Sequence, residues 1–372
     1  MTRGRFAPSP TGRMHLGNVF CALLSWLSAK SQGGEWVLRI EDLDPQRSRE
    51  EYALQLMDDL QWLGLPWDGE PVWQSQRGHI YEEYLLRLTE MGLTYPCHCT
   101  RADIMATQAP HETDGRVVYK GTCRPRAIDA INSIDSIGSI DAIDAIGSID
   151  STIRTVPATT RLIVPDCTIP FTDGHYGRHD INLAEHCGDY IVRRKDGAWA
   201  YQLAVVVDDA LMGITEIVRG RDLLLSSPQQ IHLRELLFGE RKTENGTDAG
   251  SENRSKIYFD YAEQQGGKDH EAGLKRKNNS LTAHHSPLTV NFFHHPLLCN
   301  AEGQRLCKRD KSMDLGYLRN KGTTAREIIG LLAHLAGLTD TPAPITPTEL
   351  LPLFSWDKVP TEDIMLDKQI ML

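Results

Sequence analysis

The sequence has no apolar run approaching the ~18 residues a membrane-spanning helix needs, so no membrane span is expected. Met1-Thr2-Arg3-Gly4 enters an apolar-flanked stretch directly, which leaves no room for a secretory leader and makes a cytoplasmic protein the expectation. Basic charge is not in excess. Forty Lys and Arg against 50 Asp and Glu give a net charge of −10, which argues against coating nucleic acid nonspecifically but leaves room for a local basic face reading one RNA. There is no Walker A pattern and no Gly-x-Gly-x-x-Gly, so any nucleotide is held in another way. Cysteine is sparse, 8 in 372 residues, and without an export signal the thiols read as reduced or metal-bound rather than as disulfides.

What is present begins at Arg5-Phe6-Ala7-Pro8-Ser9-Pro10-Thr11-Gly12, followed by His15-Leu16-Gly17-Asn18, with Lys308-Arg309-Asp310-Lys311-Ser312 far downstream. Arg5-Phe6 ends a short strand. Pro8 and Pro10 force an extended turn, because proline fixes its own φ and restricts the residue before it. Gly17 permits close backbone approach, and Asn18 is the expected N-cap of a helix over Val19–Lys30. Strand, turn and helix N-terminus together predict an anion site, with free N–H groups and the helix dipole facing a phosphate.

The chain is long enough for two or three domains. Residues 1–95 alternate strand and helix: Glu35–Ile40 is a strand ending in Glu41-Asp42, and amphipathic helices fall near 47–63 and 78–92. This alternation predicts an α/β fold with a parallel sheet and ligands at the carboxyl ends of its strands. Residues 96–187 change texture, with clustered Cys and His and then short β-type runs, and read as an inserted subdomain. Residues 188–240 return to α/β character, with Trp199–Asp209 read as an apolar strand, Ile214–Arg219 as a second and Pro228–Leu237 as a helix. From 126 to 153 isoleucine recurs every third residue, which forms no single helical face and reads as a non-catalytic expansion. Residues 241–288 are polar and low in complexity and read as a loop insertion. Residues 289–372 carry the lysine-rich motif and then helices over 323–338 and 346–354.

An amino acid with a side-chain carboxylate carries two anions and one cation, so its pocket needs arginines and an acid. Arg5 and Arg219 fall at strand ends, where a guanidinium can fork onto a carboxylate. Glu41 can hold an α-ammonium, and Tyr201 can donate a hydrogen bond nearby. His15 can hydrogen-bond phosphate oxygens, while Lys308 and Lys311 can neutralise charge on departing pyrophosphate. Cys97-His98-Cys99 with Cys123 suggests a structural zinc site, its fourth ligand open between His98, His111 and others.

These residues carry a resemblance to the class I glutamyl-tRNA synthetases, closest to their short paralogue acting on tRNA(Asp). It rests on Arg5–Asn18, Arg39–Asp44, Ala200–Asp209, Ile217–Gly220 and Lys308–Ser312, and covers about 1–125, 157–240 and 290–365. The resemblance implies a Rossmann-like catalytic domain with an inserted zinc-binding, acceptor-type subdomain and a short C-terminal helical region that contacts tRNA. It implies that Arg5, Phe6, Ala7, Pro8, Ser9, Glu41, Tyr201 and Arg219 bind glutamate. It further implies that His15, Gly17, Asn18 and Lys311 bind ATP with Mg²⁺, and that Tyr119 joins Cys97, Cys99 and Cys123 on zinc. Asn18 replaces a histidine of the first motif, and Asp310 replaces a serine of the second. About sixty residues follow Ser312, too few for an anticodon-binding domain. The resemblance to the short paralogue implies queuosine in the anticodon loop of tRNA(Asp) as the acceptor, and a monomer is expected. A truncated enzyme charging a tRNA 3′ end, a non-catalytic tRNA-binding paralogue and another adenylating ligase are the alternatives.

Overall fold

The computed structural model describes residues 1–106, 118–125, 157–239, 290–300, 302–306 and 313–366. The isoleucine repeat, the 241–288 segment, His111 and the Lys308–Ser312 motif lie outside the described residues. The strands, in chain order, are β1 (Arg3–Phe6), β2 (Glu35–Ile40), β3 (Val72–Trp73), β4 (Thr94–Cys97), β5 (Thr159–Leu162), β6 (Thr168–Asp173), β7 (Gly177–Asn182), β8 (Ile191–Arg193), β9 (Glu216–Gly220), β10 (Asn291–His295), β11 (Leu298–Cys299) and β12 (Ile364–Met365). Seven of them form one sheet in the order β3-β2-β1-β9-β10-β6-β7. Its pairings are parallel except for the antiparallel hairpin β6–β7 at one edge. β4, β5 and β8 make a separate antiparallel sheet of three strands.

Helix α1 (Leu16–Ser31) follows β1 and is apolar on nearly every side, as a helix covered on both faces must be. One side packs on β1, β2 and β9. The other meets the C-terminal segment, where helix Ala325–Leu335 puts Ile328, Ile329 and Leu332 into the same core as Phe20, Leu23 and Leu24. That helix opens on a capping box, with Thr324 and Glu327 satisfying each other's backbone N–H groups. The Trp356 indole N–H donates to Ser28 Oγ of α1 at 3.1 Å, and its ring stacks on Phe293 with centroids 5.0 Å apart. Gly4 lies where a Cβ would meet Ala29 Cβ at 3.1 Å, so the small residue lets α1 sit close on the sheet. Helices α2 (Glu50–Trp62) and α3 (Gly78–Glu90) bury the face set by their three- and four-residue apolar spacing.

Three sequence expectations are corrected. Trp199–Asp209 is not a strand: helix Tyr201–Leu211 takes its place, preceded by Ala200 in extended conformation. Every residue from Leu203 to Ala210 is buried, so no period distinguishes helix from strand, and the Val205-Val206-Val207 run biases the reading toward β. The N-cap of α1 is His15, not Asn18, because the helix starts at Leu16. Finally, a cut at residue 187 does not follow the sheets. β6 and β7 join the large sheet while β8 belongs to the small one, and β10 is a central strand of the large sheet. Strand pairing over long sequence separation leaves no local mark at these positions.

Burial also sets an acid limit. His232, His294 and His295 are buried, and loss of hydration lowers their pKa values to about 3, about 4 and about 4. The unfolded chain takes up protons near pH 6.5 that the folded chain refuses until about pH 4. Their contribution is fully present above pH 6.5 and is lost as pH falls toward 4. Each histidine should remove roughly 1–2 kcal/mol between pH 6.5 and 5. Urea unfolding at pH 7 and pH 5 should show a fall of several kcal/mol, reduced in a His232→Gln variant. Equal stability at the two pH values would contradict it.

Candidate active site

A cavity of about 460 Å³ opens at the carboxyl ends of β1, β2 and β9. Arg5, Phe6, Ala7, Pro8, Ser9, His15, Gly17, Asn18, Glu41, Tyr201 and Arg219, all singled out from the sequence, line it together. Lys308 and Lys311 fall outside the described residues. The described positions on either side of them bear on the cavity: Leu306 lines it, and Leu315 N–H bonds to Met14 O at 2.9 Å beside the His15 turn.

The turn after β1 is held by its own backbone. Glu41 N–H bonds to Pro8 O at 3.0 Å, which joins the end of β2 to the proline turn. His15 then caps α1. Its Nδ1 accepts from Gly17 N–H at 3.1 Å, and Asn18 Oδ1 accepts from His15 N–H at 3.1 Å. A Cβ at Gly17 would lie 2.9 Å from the imidazole, so glycine is what allows the ring to lie there. Gly17, Asn18 and Val19 all direct their N–H groups to His15. The expected free amides are therefore engaged. The positive end of the helix dipole remains, and His15 supplies the donor: with Nδ1 accepting, the neutral ring carries its proton on Nε2.

The two arginines sit in opposite electrostatic settings. Arg5 lies 3.4 Å from Asp209 Oδ1 and donates to Val218 O at 3.3 Å. Asp209 is shared with the fully buried Arg39, whose Nη1 reaches it at 2.6 Å and whose Nη2 reaches Glu41 Oε1 at 3.1 Å. Burial raises the Glu41 pKa, against the lowering fields of Arg39 and Arg5. An arriving cation would favour the carboxylate. Asp208 takes Arg77 at 2.6 Å, Gln74 at 2.9 Å and Tyr81 at 2.8 Å. These bonds fix helix Tyr201–Leu211 against α3.

Arg219 is buried without a carboxylate against it among the described residues. Its guanidinium meets His294 Nε2 at 3.0 Å, Gln230 Oε1 at 2.7 Å, Ser227 Oγ at 2.8 Å and Tyr201 Oη at 3.5 Å, all neutral acceptors. Loss of hydration lowers its pKa. A guanidinium held in this way favours an anion from outside the protein. Arg39, Asp209, Ser227, Gln230, His294 and Asp222 are the residues that sequence reasoning gave no role. Arg39 and Asp209 stood inside quoted motifs, but nothing local tells a buried ion pair from a surface one.

A second cluster lies at the end of β4. The ligand atoms of Cys97, Cys99 and Cys123 lie within 4.8 Å of one another. Tyr119 Oη is 3.4 Å from Cys97 Sγ and 3.7 Å from Cys99 Sγ, and it accepts from Cys123 N–H at 2.7 Å. Tetrahedral zinc with Zn–S near 2.3 Å needs thiolates roughly 3.8 Å apart, so the donor set fits. Burial raises the Cys123 pKa, but hydrogen bonds from the His98 backbone and Tyr119 hydroxyl help bring it down to about 7. Tyr119 itself is raised by burial, so its phenolate would need the metal's charge. His98 is exposed.

Residues 1–245 match the family described as tRNA synthetases class I (E and Q), catalytic domain. A glutamyl-Q tRNA(Asp) synthetase of Nitratidesulfovibrio vulgaris is 36% identical over 380 residues, covering 100% of this chain and 97% of the relative. One from Neisseria meningitidis serogroup C is 45% identical over 238 residues, 64% of this chain and 72% of the relative. A crystal structure of a glutamate tRNA ligase from Elizabethkingia meningosepticum in complex with its amino acid superposes with a TM-score of 0.67 at 23% identity, covering 100% of this chain and 68% of that one. It supports the fold.

The ion network makes a stability prediction. Arg39→Leu would strip Glu41 and Asp209 of their nearest cation inside the protein. Removing one partner of a buried pair costs about 3–5 kcal/mol. Urea denaturation should show that loss, and a variant as stable as the parent would mean that water reaches these carboxylates.

Proposed function

The chain belongs to the class I tRNA synthetases of the E and Q group, in the glutamyl-Q tRNA(Asp) synthetase family, and we propose from that premise that it joins L-glutamate to queuosine in the anticodon loop of tRNA(Asp). The observation that carries the reading is Arg219: a buried cation with neutral acceptors, in one cavity with Glu41 and the His15 turn. An amino acid with a carboxylate side chain supplies the missing anion, while Glu41 takes its ammonium. An amide side chain would leave Arg219 uncompensated.

In the first step a glutamate α-carboxylate oxygen attacks the α-phosphorus of MgATP. The bond from that phosphorus to the β-phosphate bridging oxygen breaks, and pyrophosphate leaves with the electron pair. His15 donates from Nε2 to a phosphate oxygen, with Gly17 and Asn18 shaping the turn that holds it. Lys308 and Lys311 neutralise the departing pyrophosphate. Arg5, Tyr201 and Arg219 orient the substrate against the Phe6-Ala7-Pro8-Ser9 wall. In the second step a hydroxyl of the queuosine cyclopentenediol attacks the glutamyl carbonyl, the acyl–phosphate C–O bond breaks, the hydroxyl proton passes to the departing phosphate, and an ester and AMP result. Catalysis of this kind is positioning and charge stabilisation on one rigid sheet edge. We place the reaction in the cytoplasm, with the protein acting as a monomer. Among the described residues no helix is long and apolar enough to cross a membrane.

Incubation with ATP, Mg²⁺ and labelled glutamate should exchange pyrophosphate into ATP without tRNA and should label queuosine-containing tRNA(Asp) but not its queuosine-free form. Arg219→Ala should lower kcat/KM by about 2–5 kcal/mol, roughly 30- to 5,000-fold. Ester at the 3′ end of tRNA(Glu), with queuosine unlabelled, would move the acceptor to the truncated-synthetase reading. Absence of glutamate-dependent exchange would favour a non-catalytic paralogue.

The same reading gives the Cys97, Cys99, Cys123 and Tyr119 cluster one structural zinc, closed to substrate. Metal analysis should find about one zinc per chain, and removing it should lower the melting temperature while ATP binding persists. A metal-free protein with unchanged melting would remove zinc from the account.

A further inference from the structure

Arg219 on β9 and His294 on β10 are partners in the parallel register, so their side chains leave the same face of the sheet side by side. β10 in turn pairs with β6, where Phe292 is opposite Asp173. Across these three strands runs one line of contacts. Asp173 Oδ2 lies 2.6 Å from His294 Nδ1, and His294 Nε2 lies 3.0 Å from Arg219 Nε. All three residues are buried. Arginine can only donate, so His294 must present a lone pair at Nε2 and carry its proton on Nδ1, where Asp173 accepts it. Asp173 is fixed in turn. Its Oδ1 accepts from His175 N–H at 3.0 Å and Tyr176 N–H at 2.9 Å, the His294 backbone N–H reaches Oδ1 at 3.3 Å and Oδ2 at 3.2 Å, and Oδ2 faces the imidazole. Phe292 lies beneath, its centroid 5.2 Å from the Arg219 guanidinium carbon and its ring parallel to His294.

We propose that Asp173 and His294 are positioning residues that set the orientation of Arg219 through the histidine tautomer, so that its remaining Nη2 N–H meets the substrate side-chain carboxylate. Neither residue lines the cavity. A carboxylate placed directly on Arg219 would hold it as firmly but would cancel the charge the substrate needs. A neutral imidazole holds it and leaves the charge. Its partner carboxylate is one ring further from the guanidinium, and the chain of bonds fixes the proton between them. This rests on the glutamate reading above.

The tautomer is the testable element. In Asp173→Asn the His175 and Tyr176 N–H groups keep the amide oxygen at the Oδ1 position, so the NH₂ group faces Nδ1. The imidazole proton is then forced to Nε2, where it meets Arg219 donor to donor. His294→Leu removes the acceptor. His294→Gln restores an acceptor close to the Nε2 position and has no tautomer to set. The KM for glutamate in pyrophosphate exchange should rise roughly 10- to 100-fold in His294→Leu and Asp173→Asn, with kcat within about threefold, as expected for a lost buried hydrogen bond to a charged group. His294→Gln should stay near the parent, and the double variant should match His294→Gln. Imidazole ¹⁵N spectra at pH 7 should place the His294 proton on Nδ1 in the parent and on Nε2 in Asp173→Asn. That measurement does not depend on the identity of the substrate. An Nε2-protonated parent, unchanged KM in both impaired variants, or a double variant as poor as Asp173→Asn would overturn the relay. If the ¹⁵N pattern holds but the parent shows no exchange with glutamate, the substrate assignment fails and the relay stands.

Discussion

Arg39 reaches Asp209 at 2.6 Å and Glu41 at 3.1 Å from a position with no solvent exposure. A guanidinium buried so deeply would cost several kcal/mol were it not paired. Its acidic partners lie on separate elements, the end of β2 and helix Tyr201–Leu211, and Asp209 carries the link onward to Arg5 on β1. One buried cation therefore fixes the relative position of the cavity-lining residues Arg5, Glu41 and Tyr201. The need to satisfy it excludes other registers of the helix on the sheet, because sliding by one residue would bury Asp209 away from Arg39.

Among the arginines that line the cavity, Arg219 is the exception. Arg5 has Asp209, Arg39 has three acids, and Arg305 meets Asp222 at the cavity wall. Arg219 meets hydroxyl, amide and imidazole. The two arginines therefore differ electrostatically. Arg5 shares Asp209 with Arg39, whereas Arg219 presents its charge to the cavity with only neutral acceptors around it.

The parts of this arrangement that the sequence revealed are those encoded within a few residues. Proline and glycine punctuation exposed the turn from Phe6 to Gly17, and apolar periodicity exposed α2 and α3. The Cys97-x-Cys99 spacing exposed the thiol cluster, which Cys123 completes. The parts it hid depend on pairing at a distance. His294 and Asp173 lie 75 and 46 residues from Arg219, and only the β9-β10-β6 order brings them together. The helix at Tyr201 was hidden for a different reason: a segment buried on all sides has no amphipathic period to read. Even so, Tyr201, expected near Glu41 on residue chemistry, lines one cavity with Glu41 and Arg219, since the cavity collects strand ends and helix starts alike.

The thiol cluster is outside the cavity, yet the chain ties the two together mechanically. Cys97 ends β4, which pairs with β5, and β5 pairs with β8. Asp189, just before β8, accepts from Tyr95 Oη at 2.6 Å and from Val164 N–H at 2.8 Å, locking the small sheet to the approach of β8. Arg193 at the end of β8 bonds Glu82 of α3 at 2.9 Å and lies over the Trp199 ring, 4.6 Å from its centroid. Trp199 packs against Tyr81, which also holds Asp208. Two residues later comes Tyr201. The small sheet thus sets where helix Tyr201–Leu211 begins, while the Asp208 and Asp209 ion pairs set how it is rotated. Loosening the thiol cluster would act first on the placement of Tyr201, and it would leave the His15 turn, which is built from β1, β2 and α1, where it is.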